Sequence, residues 1–124
     1  MMERVVIPVL DDSGKTSRLS SHFGRAPFFA VVEVKEDGNI ESLKFLPNRS
    51  QHLGGSGRPP DVILSFAPNV VITFGMGPRA MRRFQAEGVA VMQASSEYLG
   101  DVLSAFTRNE LSELTEGCRD ARHK

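Results

Sequence analysis

The sequence predicts an α/β fold, a mixed sheet of about five strands with helices on its faces. Three observations predict it. The second half alternates apolar runs of strand length with amphipathic helical stretches, as strand–helix–strand units with parallel pairing and right-handed crossovers do. The first half carries two such runs joined by Glu36-Asp37-Gly38-Asn39, whose Asp-Gly signals the hairpin turn type that needs positive φ at both central residues and makes strands two and three an antiparallel pair. The length of 124 residues, with 40% apolar and 24% charged, suffices for one compact core and is too short for two ordinary domains.

The elements follow in order. Residues 4–10, RVVIPVL, form a β-branched strand, with Pro8 placed where a bulge or an unpartnered amide must accommodate its missing donor. Residues 11–18 are polar turn material. The stretch His22-Phe23-Gly24-Arg25-Ala26-Pro27 is a loop leading into a second strand at 28–35, and a third follows at 40–46. Residues 47–60, PNRSQHLGGSGRPP, read as a mobile flap, and 61–66 as a short helix. VVITF at 70–74 is a strand buried on both faces. Pro78 opens a helix over 78–87 that Gly88 ends, and 89–93 form the last strand. Ser95 or Ser96 caps a final helix, whose Leu99, Val102, Leu103 and Phe106 share one face. This order matches a ribonuclease H-like three-layer α/β/α sandwich with an N-terminal antiparallel hairpin.

Composition excludes several functions. Fifteen Lys and Arg balance fifteen Asp and Glu, so no global field draws nucleic acid or an anionic membrane. The single Cys118 permits no internal disulfide, and the N-terminal apolar run is too short to span a membrane. A cytoplasmic protein is expected. A nuclease on such a sheet needs several inward carboxylates to hold two metal ions, and Asp11, Asp12, Glu33 and Asp61 form no recognisable set. No serine has a nucleophile-elbow context.

Four places can carry chemistry. Gly75-Met76-Gly77-Pro78-Arg79 joins a buried strand to a helix start, where free amides, the helix dipole and a guanidinium favour an anion. A tight βα turn with an exposed arginine is the alternative. His22 can ligate metal from its loop, and Arg25 suits a carboxylate, phosphate or anionic cluster. Both can instead serve only the loop backbone. His52 lies among glycines in the flap, and Cys118 stands five residues before His123 without the second pair a structural zinc site needs.

The runs SSHFGRAPFFAVVEV and VVITFGMGPRAMRRFQAEGVAV, in that order, with the Asn48 and His52 loop between them, resemble the dinitrogenase iron–molybdenum cofactor biosynthesis family over about residues 4–114. The resemblance implies one domain over residues 1–114 with a flexible polar tail at 115–124. It implies a non-enzymatic carrier for an iron–sulfur or iron–molybdenum type cluster or its precursor, working between donor and acceptor proteins as a monomer or weak homodimer. The cluster would be held by Arg25, Gly75, Met76, Gly77 and Arg79, with His22, His52 and Cys118 as metal ligands, and His22, Arg25 and the 75–79 turn would line the same side of the sheet. The other reading is a small regulatory or interaction module that binds an anion at Gly75–Arg79. With no Cys-x-x-Cys pair, ligation is incomplete, which suits release.

Overall fold

The computed structural model describes residues 2–48 and 59–114. The strands are β1 (Glu3–Val9), β2 (Phe28–Val34), β3 (Ile40–Pro47), β4 (Val70–Thr73) and β5 (Ala90–Gln93). The helices are α1 (Pro59–Leu64), α2 (Pro78–Ala86) and α3 (Leu99–Thr107). One sheet runs in the order β3-β2-β1-β4-β5. β3 and β2 pair antiparallel, as do β2 and β1, whereas β1, β4 and β5 are parallel. This is the mixed α/β architecture that the alternating pattern predicts.

Strand alternation divides the core between the two faces. Val5, Ile7 and Val9 of β1, with Val70 and Ile72 of β4, meet Leu99, Val102 and Leu103 of α3. Val6 and Val71 point the other way, onto Ile63 of α1 and Met81 and Phe84 of α2. Burial on both faces explains why these strands read as unbroken apolar runs.

Local details differ from expectation in three places. Short 3-10 turns form at Gly14–Thr16 and Phe23–Arg25, inside stretches read as loop. In the hairpin only Gly38 has positive φ, at 89°, and its N–H donates to Lys35 O while Lys35 N–H donates to Asn39 O. That is a type I turn closed by a glycine bulge, so one permissive residue suffices. The N-cap of α3 is Tyr98, later than the serine at 95 or 96 expected there. Ser96 still serves the start, because its Oγ accepts the Tyr98 N–H at 3.1 Å.

Pro8 shapes the top of the sheet. In an extended strand a residue's nitrogen and carbonyl point to the same side. Pro8 O accepts the Ser20 N–H at 2.9 Å, so its donorless nitrogen also faces that segment and takes nothing from the β2 ladder. The unpartnered-amide expectation therefore holds. On this same side β1 pairs with β4 only at Val5↔Val70 and Val6↔Val71. Above them Leu19 bridges to Val9 and takes the place beside β1 that β4 holds lower down. The parallel ladder stops where proline can no longer donate, and the two strands part.

The β5 edge is covered. Ser112 O accepts the Gln93 N–H and the Leu114 N–H donates to Val91 O, so residues 112–114 run antiparallel to β5. Covering an edge removes a template for unwanted pairing.

At the lower end of β1, Arg4 Nε and Nη2 donate to Glu33 Oε2 at 3.2 and 2.8 Å, and Nη1 donates to Phe66 O at 2.8 Å. The Arg4 hydrogen bonds hold the Glu33 carboxyl below its ordinary value. A folded value below the unfolded one gives stability that is full above the unfolded carboxylate range and fades as pH falls through the folded value. Glu33→Gln should therefore lower the urea midpoint at neutral pH. The midpoints of variant and parent should converge as pH drops from about 5 towards about 3, which a midpoint-versus-pH series checks.

Candidate functional site

Of the predicted residues, the topology brings His22, Arg25 and the Gly75–Arg79 turn to one end of the sheet. The carboxyl ends of β1, β3, β4 and β5 and the amino end of β2 share this rim, since Val9 pairs with Phe28 and Phe28 with Pro47. After β1 the chain crosses to the α3 side, where the Leu99 N–H donates to Ser17 O at 2.9 Å. After β4 it turns to the other face to start α2. Connections that leave neighbouring parallel strands for opposite faces open a crevice at their carboxyl ends, the usual ligand position in open α/β sheets.

One wall is the turn at residues 22–27. Ser20, 4% exposed, accepts the His22 N–H on its Oγ at 3.2 Å and donates from that hydroxyl to His22 O at 3.0 Å. The Phe23 ring stands edge-on to Phe84 of α2, with centroids 6.3 Å apart. Asn48, 6% exposed, donates from Nδ2 to Gly24 O at 3.1 Å and Ala26 O at 2.8 Å, while its backbone N–H donates to Pro27 O at 3.0 Å. The His22 and Arg25 side chains remain exposed. Arg25 forms no ion pair among the described residues.

The facing wall is Gly75–Arg79. Thr73, fully buried, ties the bend through its Oγ1, which accepts the Gly75 N–H at 3.4 Å. Gly77 is the N-cap of α2 with φ −70° and ψ 165°, and Pro78 fills the first helical position. Neither Gly75 nor Gly77 has positive φ, and a Cβ built on either would meet nothing within 4 Å. Backbone geometry therefore does not demand glycine here. The bare backbone opens onto free space beside the first-turn amides of α2, which have no intrahelical acceptor. Arg79 is exposed and makes no ion pair among the described residues, whereas Arg83 one turn on is held by Asp61 and Glu87. Met76 is partly buried and, like Phe23, packs against the cluster that includes Ala26, Met81 and Phe84, so both turns rest on one apolar core.

His52 and Cys118, named as ligands from the sequence, lie outside the described residues. Among the described residues no group of three or more His, Cys, Asp or Glu side chains is placed to hold a metal ion. The acids weighed for a nuclease are scattered: Glu33 pairs with Arg4 at the amino end of β1, Asp61 pairs with Arg83, and Asp11 follows the carboxyl end of β1. The roles of Asn48, Ser20 and Thr73 are not read from the sequence. The available signal was a polar residue at each strand end or turn flank next to the two motifs.

A model of the family described as dinitrogenase iron-molybdenum cofactor matches residues 4–109. The chain belongs to this family. Uncharacterized protein MJ0580 of Methanocaldococcus jannaschii is 28% identical over 100 residues, covering 79% of this chain and 84% of that protein. The crystal structure of PH0822 superposes with a TM-score of 0.75 at 29% identity, covering 91% of this chain and 97% of that one. The apo form of the orange protein from Desulfovibrio gigas superposes with a TM-score of 0.75 at 20% identity, covering 92% and 94%. At that identity the likeness is one of fold. Both walls of the rim, and the Asn48 that braces one of them, fall within the stretch matched to the dinitrogenase iron-molybdenum cofactor family. No helix of the described residues is long and apolar enough to cross a membrane.

Proposed function

We propose that this chain is a non-enzymatic carrier that holds an anionic metallocluster of iron–sulfur or iron–molybdenum type, or a precursor of one, at the rim between its two motif turns. The observation that carries the reading is the pair of glycines at 75 and 77. They have side-chain-tolerant backbone and open space above them, and they stand at a helix start beside Arg79, which makes no ion pair among the described residues. A bulky anion can approach peptide N–H groups there that any Cβ would screen. Arg25 adds fixed positive charge from the opposite wall, and His22 offers one imidazole nitrogen. Charge and peptide donors with a single soft ligand make a loose hold, which is what delivery to an acceptor protein requires. The family match supports this class of cargo.

The test is anaerobic reconstitution with ferrous iron and sulfide. The parent protein should develop visible absorption, and His22→Ala should lower its yield several-fold. A parent protein that stays colourless would overturn the reading. A second reading, a module that binds a small anion for regulation, is favoured by one observation: the described residues present no group of three metal-ligating side chains. It expects inorganic phosphate to raise the melting temperature of the metal-free protein, an effect that Arg79→Ala removes.

A further inference from the structure

We propose that Asn48 is a positioning residue for the cargo rim, whose buried carboxamide fixes the turn that carries His22 and Arg25. The proposal rests on the carrier reading. Asn48 makes three hydrogen bonds to one turn: Nδ2 to Gly24 O, Nδ2 to Ala26 O, and backbone N–H to Pro27 O, at 3.1, 2.8 and 3.0 Å. Both Nδ2 partners are carbonyl oxygens, so it is the NH2 end of the carboxamide that faces them.

The placement of these bonds gives them a purpose beyond stability. The turn is anchored at every residue that lacks reactive chemistry. Ser20 holds the His22 backbone, Phe23 leans on Phe84, Ala26 is fully buried, and Asn48 grips the carbonyls on either side of Arg25. Among the described residues, the exposed side chains of His22 and Arg25 have no such anchor. A buried polar side chain that satisfies two carbonyls of a surface turn fixes where that turn aims its neighbours. Asn48 also ends β3 at its Pro47 boundary, so the aim of Arg25 is referred to the edge strand of the sheet and not only to the flanking loop. A carrier that grips weakly depends on such pre-set geometry, because it has few contacts with which to reorder a mobile turn.

The test uses the full chain with Asn48→Asp and Asn48→Ala. A carboxylate cannot donate, and near neutral pH it faces two carbonyl dipoles. Backbone nitrogen-15 relaxation of the metal-free protein should then show lost order confined to residues 22–27, with 75–77 unchanged. As pH falls from about 7.5 to about 5, the aspartate protonates and can again donate to one carbonyl, so order at Gly24 and Ala26 should return in this variant and not in Asn48→Ala. In reconstitution with ferrous iron and sulfide at neutral pH, Asn48→Asp should bind at least about fivefold more weakly than the parent, the equivalent of roughly one neutral hydrogen bond. Three outcomes overturn the proposal: unchanged order in the turn, order lost uniformly across the sheet, or a folded variant that takes up cluster like the parent. If the parent itself takes up no cluster, the carrier reading fails, and the relaxation and pH results alone decide whether Asn48 sets the turn.

Discussion

Gly77→Asp should raise the melting temperature by about 2 °C and reduce cluster uptake more than about tenfold. Both effects come from one carboxylate. Position 77 is the N-cap of α2, and its φ and ψ of −70° and 165° suit any residue. An aspartate there accepts first-turn N–H groups and complements the positive end of the helix dipole, together worth about 0.5 kcal/mol over glycine. For a chain of 124 residues that is about 2 °C. The same carboxylate fills the open space above the glycine, occupies the amides and repels an anion. Calorimetry and anaerobic iron–sulfide titration on one preparation check both directions. If the variant is stabilised and takes up cluster normally, the α2 start is not part of the binding rim.

Phe84→Ala should cost about 3–5 kcal/mol, a large share of the roughly 5–15 kcal/mol that holds such a domain together. Phe84 is fully buried, its ring meets Phe23 edge-on at 6.3 Å, and Met81 and Ile63 share its cluster. Its removal leaves a cavity directly beneath the turn that presents His22 and Arg25. Leu103→Ala on the opposite face, at about 2–5 kcal/mol, is the matched control, because Leu103 packs only in the α3 cluster. Urea denaturation should show both losses. Under conditions where each variant is folded, only Phe84→Ala should broaden or shift the His22 imidazole resonances. Equal perturbation of His22 by both variants would mean that the ring of Phe84 has no special part in supporting the turn.

The sheet and its helices were legible because periodicity reports burial directly. VVITF at 70–74 had to be buried on both faces, and Leu99, Val102, Leu103 and Phe106 had to share one. The two motif turns were legible because their glycines, prolines and arginines are unusual next to strand ends. What the sequence withheld was long-range polar contact. Nothing local marks Asn48 as the partner of carbonyls 22 and 24 residues upstream, since that pairing exists only once β3 has folded back on β2. The hairpin signal was right in place and different in kind, because Asp-Gly serves both the two-residue turn and the bulged one, and strand register chooses between them. Pro8 announced a missing donor; which neighbour would go without it depended on the strand order.

That proline makes the crevice a property of the main chain and not of its lining. Any residue with an amide hydrogen at position 8 could offer it to whichever strand lay beside it, and a β4 extended by a few residues could then compete with the 18–20 segment for that place and close the mouth. With proline there, β4 gains no donor from that position and the 18–20 segment keeps its place. The residues at the lip of the mouth are free to diverge towards different guests while the doorway stays the same width.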